Sequence, residues 1–451
     1  MWMGYEMNIF EKITNNIITE GLKKEIISKN QIKKNSILDT YTKQFALESI
    51  QLEEKESFNL KRELRLYFNK ISKYEENIGD HPDFIHLTNN TEKHYIVSVF
   101  KDIKGSTKLA TLKGLDLEEV REIKNRILTT AISIFQVFDG HIHRLQGDAI
   151  FAFFGRKDKD KEEAIVDALT AVTILQFVFK NSISKFFEAM DYPKIDIRTG
   201  LDFGDDEDVL WSKYGVAGCN EITTTSIHTD LAAKLQHKAG ANKIMIGDNI
   251  KNMLDLPNDF CDIKTYRENS EEKKDEFILN YREYKYKMWV FNWEKYISFF
   301  PQLPQNNFLP TLHQWQPYKD FLVICYYKDQ DGMWKEYQRN STALSKNYSL
   351  KFEVTFSDFG LKMLCNEIIW EVNNRGNEAS ENENSLVFRT KNKDNNIFEC
   401  SQMTAYKGHH FMKVTLKSNG RIVGEDRFGI FIKSQTTTSS GGLLHPIRVW
   451  Y

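Results

Sequence analysis

Cysteine is sparse and scattered. The five residues Cys219, Cys261, Cys325, Cys365 and Cys400 form no C-x-x-C pair. That speaks against a zinc knuckle or a disulfide framework and makes a reducing, cytoplasmic setting the expectation. A basic excess is also missing. Lys+Arg total 61 against 63 for Asp+Glu, a net charge of −2, which argues against a general nucleic-acid coat protein. No apolar run approaches the ~20 residues of a membrane helix. The opening MWMGYEMNIFEK lacks the basic stretch and apolar core of a secretory signal. Neither a nucleic acid nor a membrane is therefore an expected partner. What is present is a chain of 451 residues, 41% hydrophobic and 27% charged. That composition is globular, and the length calls for two or three domains.

Residues 1–90 read as a helical N-terminal region, because stretches such as IFEKITNNIITEGLKKEII repeat apolar positions at helical spacing. The texture changes at His94. YIVSVF is a β-branched and aromatic run that ends in Asp102-Ile103-Lys104-Gly105-Ser106-Thr107. A helix is predicted from Leu117 to Asp139, then a hairpin, HIHRLQ and AIFAFFG, turning at Gly147-Asp148. KEEAIVDALTAVTILQFVFKNSI reads as an amphipathic helix. KIDIRTGLDFG and NKIMIG read as strands, with the helix TSIHTDLAAKLQHKAG between them. Alternating strands and helices with hairpins predict an α+β domain over 91–300. The proline-rich 301–317 reads as a linker. Short strands over 318–436 predict an all-β sandwich, and 437–451 a flexible tail.

Two carboxylates carry the chemistry. Asp102 ends a hydrophobic strand before a Gly-Ser-Thr turn whose backbone N–H groups suit phosphate oxygens. A carboxylate there suits a divalent metal held against those phosphates. Asp148 lies in the hairpin turn, which would sit beside that strand in one sheet. Two such carboxylates suit a pair of metals about 3.5–4 Å apart, the spacing for in-line phosphoryl chemistry.

FKDIKGSTKLA and HRLQGDAIFAFFG resemble the two metal-binding stretches of class III nucleotide cyclases. IDIRTGLDFG and IHTDLAAKLQHKAG come next as that family's further landmarks, in the same order, over about 95–250. The resemblance implies a ferredoxin-like βαββαβ core, with a helical N-terminal extension and a C-terminal all-β module added here. It implies a homodimer whose protomers pair head to tail and share active sites. Asp102, Asp148 and the Ile103 backbone carbonyl would bind two Mn²⁺ or Mg²⁺ ions. The ribose 3′-hydroxyl of a nucleoside triphosphate would attack its own α-phosphorus and expel pyrophosphate. Phe100, Gly105, Ser106 and Thr107 would lie against the substrate. The Asn and Arg that the family supplies from a partner helix are replaced by Asp230 and Lys234. Lys neutralises phosphate charge only as a point charge, and an i,i+4 Asp–Lys pair is also an ordinary surface ion pair.

Base selection departs from the purine cyclases. Arg144 stands where they usually place Lys, and Thr223 falls at the partner base-reading position. Arg is donor-only and suits a base that shows acceptors. That implies a pyrimidine, with UTP preferred and cyclic UMP as product. CTP giving cyclic CMP is the alternative, ahead of a purine cyclase or an inactive nucleotide sensor. Trp211 and Tyr214 are candidates to cover the base. The segments IIWEVNNRGNEASENENSLVFR, AYKGHHFMKVTLKSNGRIV and FGIFI resemble the β-rich sensor module of antiphage systems. A cyclase joined to this module resembles the pyrimidine cyclases of Pycsar defence, which implies a separately encoded, cyclic-nucleotide-responsive effector and abortive infection.

Overall fold

The computed structural model describes residues 12–13, 15–16, 59–68, 70, 77–111, 115–300, 320–329, 331–380, 385–391 and 398–434. Most of the expected N-terminal helical region, the linker 301–317 and the tail 437–451 lie outside these residues. One helix of the first region is described, α1 (Leu60–Tyr67), capped by Asn59 accepting from the Arg62 N–H at 3.0 Å. Residues 77–91 contain no helix; they run through turns at Gly79 (φ 132°) and Pro82. There His81 is buried, and Phe84 stacks on Trp211 with ring centroids 4.0 Å apart.

The central sheet is built around strand β1 (Ile96–Lys104). Helix α2 (Leu117–Val137) comes next, fixed by reciprocal capping of Asp116 and Glu119 and buried through Val120, Ile123, Ile127 and Ile134 at helical spacing. Strands β2 (His141–Gln146) and β3 (Ala149–Phe154) form the expected hairpin, with Gly147 at φ 65° in its turn. Then come helix α3 (Lys161–Val178) and strand β4 (Asp196–Gly204). These four strands lie in the order β4-β1-β3-β2, all antiparallel, the arrangement of a βαββαβ ferredoxin-like core. Strands β5 (Leu210–Val216) and β6 (Cys219–Thr225) form a separate hairpin. Helix α4 (Ile227–Lys238) leads to β7 (Lys243–Gly247), which pairs parallel with β4. Strands β8 (Phe277–Tyr281) and β9 (Tyr284–Phe291) extend the sheet beyond β7.

Helix α3 differs from its expected amphipathic form. Fifteen of its residues, from Ala164 to Val178, are buried, so it has no wet face over that span. The reason is a second cover. The sheet lies on one side, while Ala343 and Phe431 of the C-terminal module join the same apolar cluster. Asp167 on α3 is buried with it, and Lys70 and Lys159 each approach its carboxylate to 2.6 Å.

The C-terminal module is two packed sheets. One has the order β11 (Trp334–Tyr337), β10 (Phe321–Lys328), β12 (Ser349–Phe356), β15 (Glu399–Met403). The other runs from the short strand Ala343–Leu344 through β17 (Arg421–Ile432), β16 (Gly408–Ser418) and β13 (Glu367–Asn373) to β14 (Ser385–Lys391). Val323, Phe352, Trp370, Val414 and Phe428, drawn from both sheets, fill the space between them. His409 and His410 are both buried; His409 bonds Asn340 Oδ1 at 2.9 Å and His410 the Tyr406 carbonyl at 2.7 Å. The module is docked on the domain that holds the central sheet. Asp255 accepts from the Asn377 N–H at 2.7 Å, and Arg375 meets Asp259 at 3.0 Å. No helix among the described residues is long and apolar enough to cross a membrane.

Candidate active site

Asp102 sits near the end of β1, directly across from Arg198 of β4. That register lets Arg198 grip the carboxylate with two parallel hydrogen bonds, Nε to Oδ1 at 2.8 Å and Nη2 to Oδ2 at 2.9 Å. Asp148, at the β2–β3 turn, accepts from the Ile103 N–H at 3.2 Å through Oδ2. Lys124 of α2 approaches its Oδ1 at 3.8 Å. The hairpin therefore delivers the second carboxylate to the residue after Asp102. Lys101 lies behind them, fully buried, and its amine nitrogen has no hydrogen-bond partner. Burial pushes it down to about 8, against the pull of Asp148 and Asp102.

Among the described residues no group of three or more His, Cys, Asp or Glu side chains is placed to hold a metal. Two carboxylates remain, both hard oxygen donors with side chains 19% and 14% exposed. Arg198 and Lys124 already approach these oxygens, so a metal would share the carboxylates with them. Each Asp102 oxygen gives one contact to Arg198 and keeps a further lone pair. This set fits Mg²⁺ or Mn²⁺, which take one or two carboxylates and complete their shell from phosphates and water. It does not fit a closed zinc site.

A Gly-Ser-Thr turn follows Asp102 at the end of β1. Gly105 has φ 75°, a conformation that favours glycine, and a short 3₁₀ helix starts at Ser106. Ser106 is half-buried and Thr107 exposed. Phe100 faces Phe151 in a stacked pair 4.2 Å apart.

Helix α4 carries Asp230 and Lys234 on its exposed side, while Leu231, Ala232 and Leu235 face inward. The helix lies tight on β4 because residue 200 is glycine: a Cβ there would be 2.0 Å from the Gln236 nitrogen. Its first turn is pinned by a buried network. His228 bonds Asp202 at 2.9 Å, Tyr286 donates to Asp202 at 2.8 Å, and Asn249 approaches the other His228 nitrogen at 3.2 Å. Burial holds the Asp202 carboxyl above the usual carboxylate range, against the hydrogen bonds from His228, Tyr286 and the Phe203 N–H. Among the described residues no ion pair joins Asp230 to Lys234, although their spacing permits one.

The structure gives several of these residues partners. The Arg144 guanidinium is clasped by Glu221 of β6, with Nε to Oε2 at 2.8 Å and Nη2 on Oε1. Thr223 lies two residues from Glu221 on the same strand, opposite Ser212. Trp211 is fully buried, donates to the His94 carbonyl at 3.2 Å and belongs to the core, so it does not cover a base; Tyr214 is exposed. The acidic run 205–208 is partly paired. Asp205 and Asp206 both pair with Lys161, and Asp206 accepts from the Tyr95 N–H at 2.8 Å. Arg198, Glu221 and the Asp202–His228 network escape sequence reasoning. Their partners are distant along the chain, and single charged residues leave no pattern.

Comparison with known proteins gives this geometry its family. A curated cytidylate cyclase of Staphylococcus aureus is 42% identical over 375 residues, 82% of this chain and 87% of that one. A cytidylate cyclase of Escherichia coli is 32% identical over 383 residues, 80% of this chain and 79% of that one. The chain is a class III nucleotide cyclase of the Pycsar type. Residues 292–433 match the adenylyl/guanylyl and SMODS C-terminal sensor domain. That match begins inside the catalytic-side cluster, where Trp293, Tyr296 and Ile297 are buried. A solved adenylyl cyclase from P. aeruginosa, CyaB, aligns with 45% of this cyclase and 95% of its own chain, at 19% identity and a TM-score of 0.38.

Arg198 gives this cyclase a testable support for Asp102. Arg198→Ala is expected to reduce turnover about 10–100-fold, the usual effect of removing the partner that orients a metal-binding carboxylate. The loss should shrink as Mn²⁺ is raised in a steady-state titration. A loss independent of metal concentration would assign Arg198 a different role.

Proposed function

We propose that this chain is a cytidylate cyclase, converting CTP to 3′,5′-cyclic CMP and pyrophosphate as a messenger in antiphage defence. The observation that carries this reading is the 42% identity, over most of both chains, to a cyclase named for cytidylate. It favours the cytidine alternative over the uridine preference drawn from Arg144. The effector is a separate protein that responds to the cyclic nucleotide.

In this reading Asp102, Asp148 and the Ile103 carbonyl hold the divalent cations, and the turn at Gly105-Ser106-Thr107 receives phosphate oxygens through its N–H groups. Bound cations would neutralise phosphate charge and favour the ionised 3′-hydroxyl. Lys234 lies against the phosphates as charge builds there, and Asp230 accepts from a ribose hydroxyl. Exposure of both on α4, without an ion pair between them, supports their supply to the site of a second protomer in a two-fold dimer.

Incubating the protein with Mn²⁺ and all four ribonucleoside triphosphates, with products identified by mass spectrometry, tests the reaction. Cyclic CMP is expected. Cyclic UMP as the main product would restore the uridine reading, and cyclic AMP or GMP would overturn pyrimidine selection. Mixing Asp102→Ala with Lys234→Ala protein should restore one intact site per heterodimer. No recovery after demonstrated subunit exchange would count against shared sites.

A further inference from the structure

We propose that Glu221 is the residue that selects cytosine over uracil, acting as one half of a base reader with Arg144. The proposal rests on the cytidylate reading above and adds its specificity determinant.

The geometry is a carboxylate and a guanidinium held side by side. Arg144 leaves β2 four residues before Asp148, and Glu221 comes from β6. Ile222 turns inward onto Trp211 and Phe153, so its neighbours Glu221 and Thr223 face the opposite way. The resemblance to cyclases assigns Arg144 and Thr223 to the base, and Glu221 lies between them. The pair remains open to solvent, with side chains 49% and 37% exposed. Exposed ion pairs add little to stability, so structural support is a weak reason for this one.

The chemistry of the pair matches one base. Two of the five Arg144 N–H donors are used on Glu221, which leaves three. Each Glu221 oxygen accepts once from Arg144 and keeps a lone pair. The reader therefore presents an acceptor beside donors. Cytosine presents the reverse: the N4 amine donates and the adjacent N3 accepts. A carboxylate accepting from cytosine N4 is an established recognition contact. Uracil inverts both positions, with O4 an acceptor and N3 a donor. Its O4 would face the carboxylate, and its N3–H would face the guanidinium. The pair therefore favours cytosine and repels uracil at the same two atoms. Arg144 alone suits either pyrimidine through O2; the added carboxylate breaks that tie.

The test compares kcat/KM for CTP and UTP, measured with the full chain and Mn²⁺, in wild type, Glu221→Gln and Glu221→Ala. Gln keeps the shape and gains an N–H donor for uracil O4. In Glu221→Gln the CTP:UTP ratio should fall about 10–100-fold, with UTP turnover unchanged or raised. Glu221→Ala should lose CTP turnover and gain nothing with UTP. Both variants should melt with wild type, because the side chain is exposed. If either variant keeps the wild-type ratio, or if both substrates decline equally, the proposal is overturned. Failure of the underlying reading is separately visible: wild-type enzyme would then make cyclic UMP or a cyclic purine nucleotide, and the proposal falls with it.

Discussion

Asp102→Asn and Asp148→Asn should each lower cyclase turnover by about a thousandfold or more, while shifting the melting temperature by less than about 2 °C. Asn keeps the shape of Asp and still accepts a hydrogen bond, so the contacts from Arg198 and the Ile103 N–H survive in part. What disappears is the negative charge. Without it a divalent cation has only a neutral oxygen, and several kcal/mol of transition-state stabilisation is lost. Each decade of rate corresponds to about 1.4 kcal/mol, so three decades is the order expected. Steady-state pyrophosphate release and a thermal melt on the same samples check both halves. Turnover within tenfold of wild type would remove the carboxylate from the metal site. A collapsed melt would instead make it a structural turn residue.

Asp426→Ala should destabilise the protein by about 3–5 kcal/mol. Arg339 and Asp426 are 4% and 1% exposed and form a two-bond pair, at 2.8 and 2.5 Å. The same guanidinium donates to the Val323 carbonyl at 3.1 Å and the Arg427 carbonyl at 2.7 Å. Val323 belongs to one sheet of the sandwich and Arg427 to the other, so this cation ties them together. Removing the carboxylate strands a buried charge, which costs far more than the pair itself contributes. Urea unfolding followed by intrinsic fluorescence measures the loss. The double variant Arg339→Met with Asp426→Leu should recover most of it. A single-variant loss below about 1 kcal/mol would place the pair in contact with water.

How much of this is legible in the sequence depends on the range of the interaction. The hairpin around Asp148 is readable because Gly147-Asp148 sits between two alternating apolar runs, which is a local signal. The end of β1 at Asp102 is readable for the same reason. Helix α3 departs from its amphipathic reading because part of its cover, Tyr296, Ala343 and Phe431 among it, lies far along the chain, so periodicity cannot show which face is wet. The helical reading extends the pattern of the earlier stretches past Gly79 and Pro82, which act as breakers, so residues 77–91 fall outside it. Trp211 reads as a cover for the base, yet its indole is consumed by Phe84 and the His94 carbonyl. Arg144 reads correctly as a donor but without its partner. Glu221 is 77 residues away, a lone carboxylate on a hairpin strand. Placed together, the two offer an acceptor beside donors, the pattern on which the proposed cytosine selection rests.

The burial of α3 on every side decides what the C-terminal module is mechanically. It is a wall of the catalytic core and not a cap hung on a tether. Ala343 and Phe431 close part of the apolar cluster that holds α3, so a chain cut after residue 300 would open that part to water. A shift of the module would be felt at the core through packed apolar side chains and through the Asp255–Asn377 and Arg375–Asp259 contacts together.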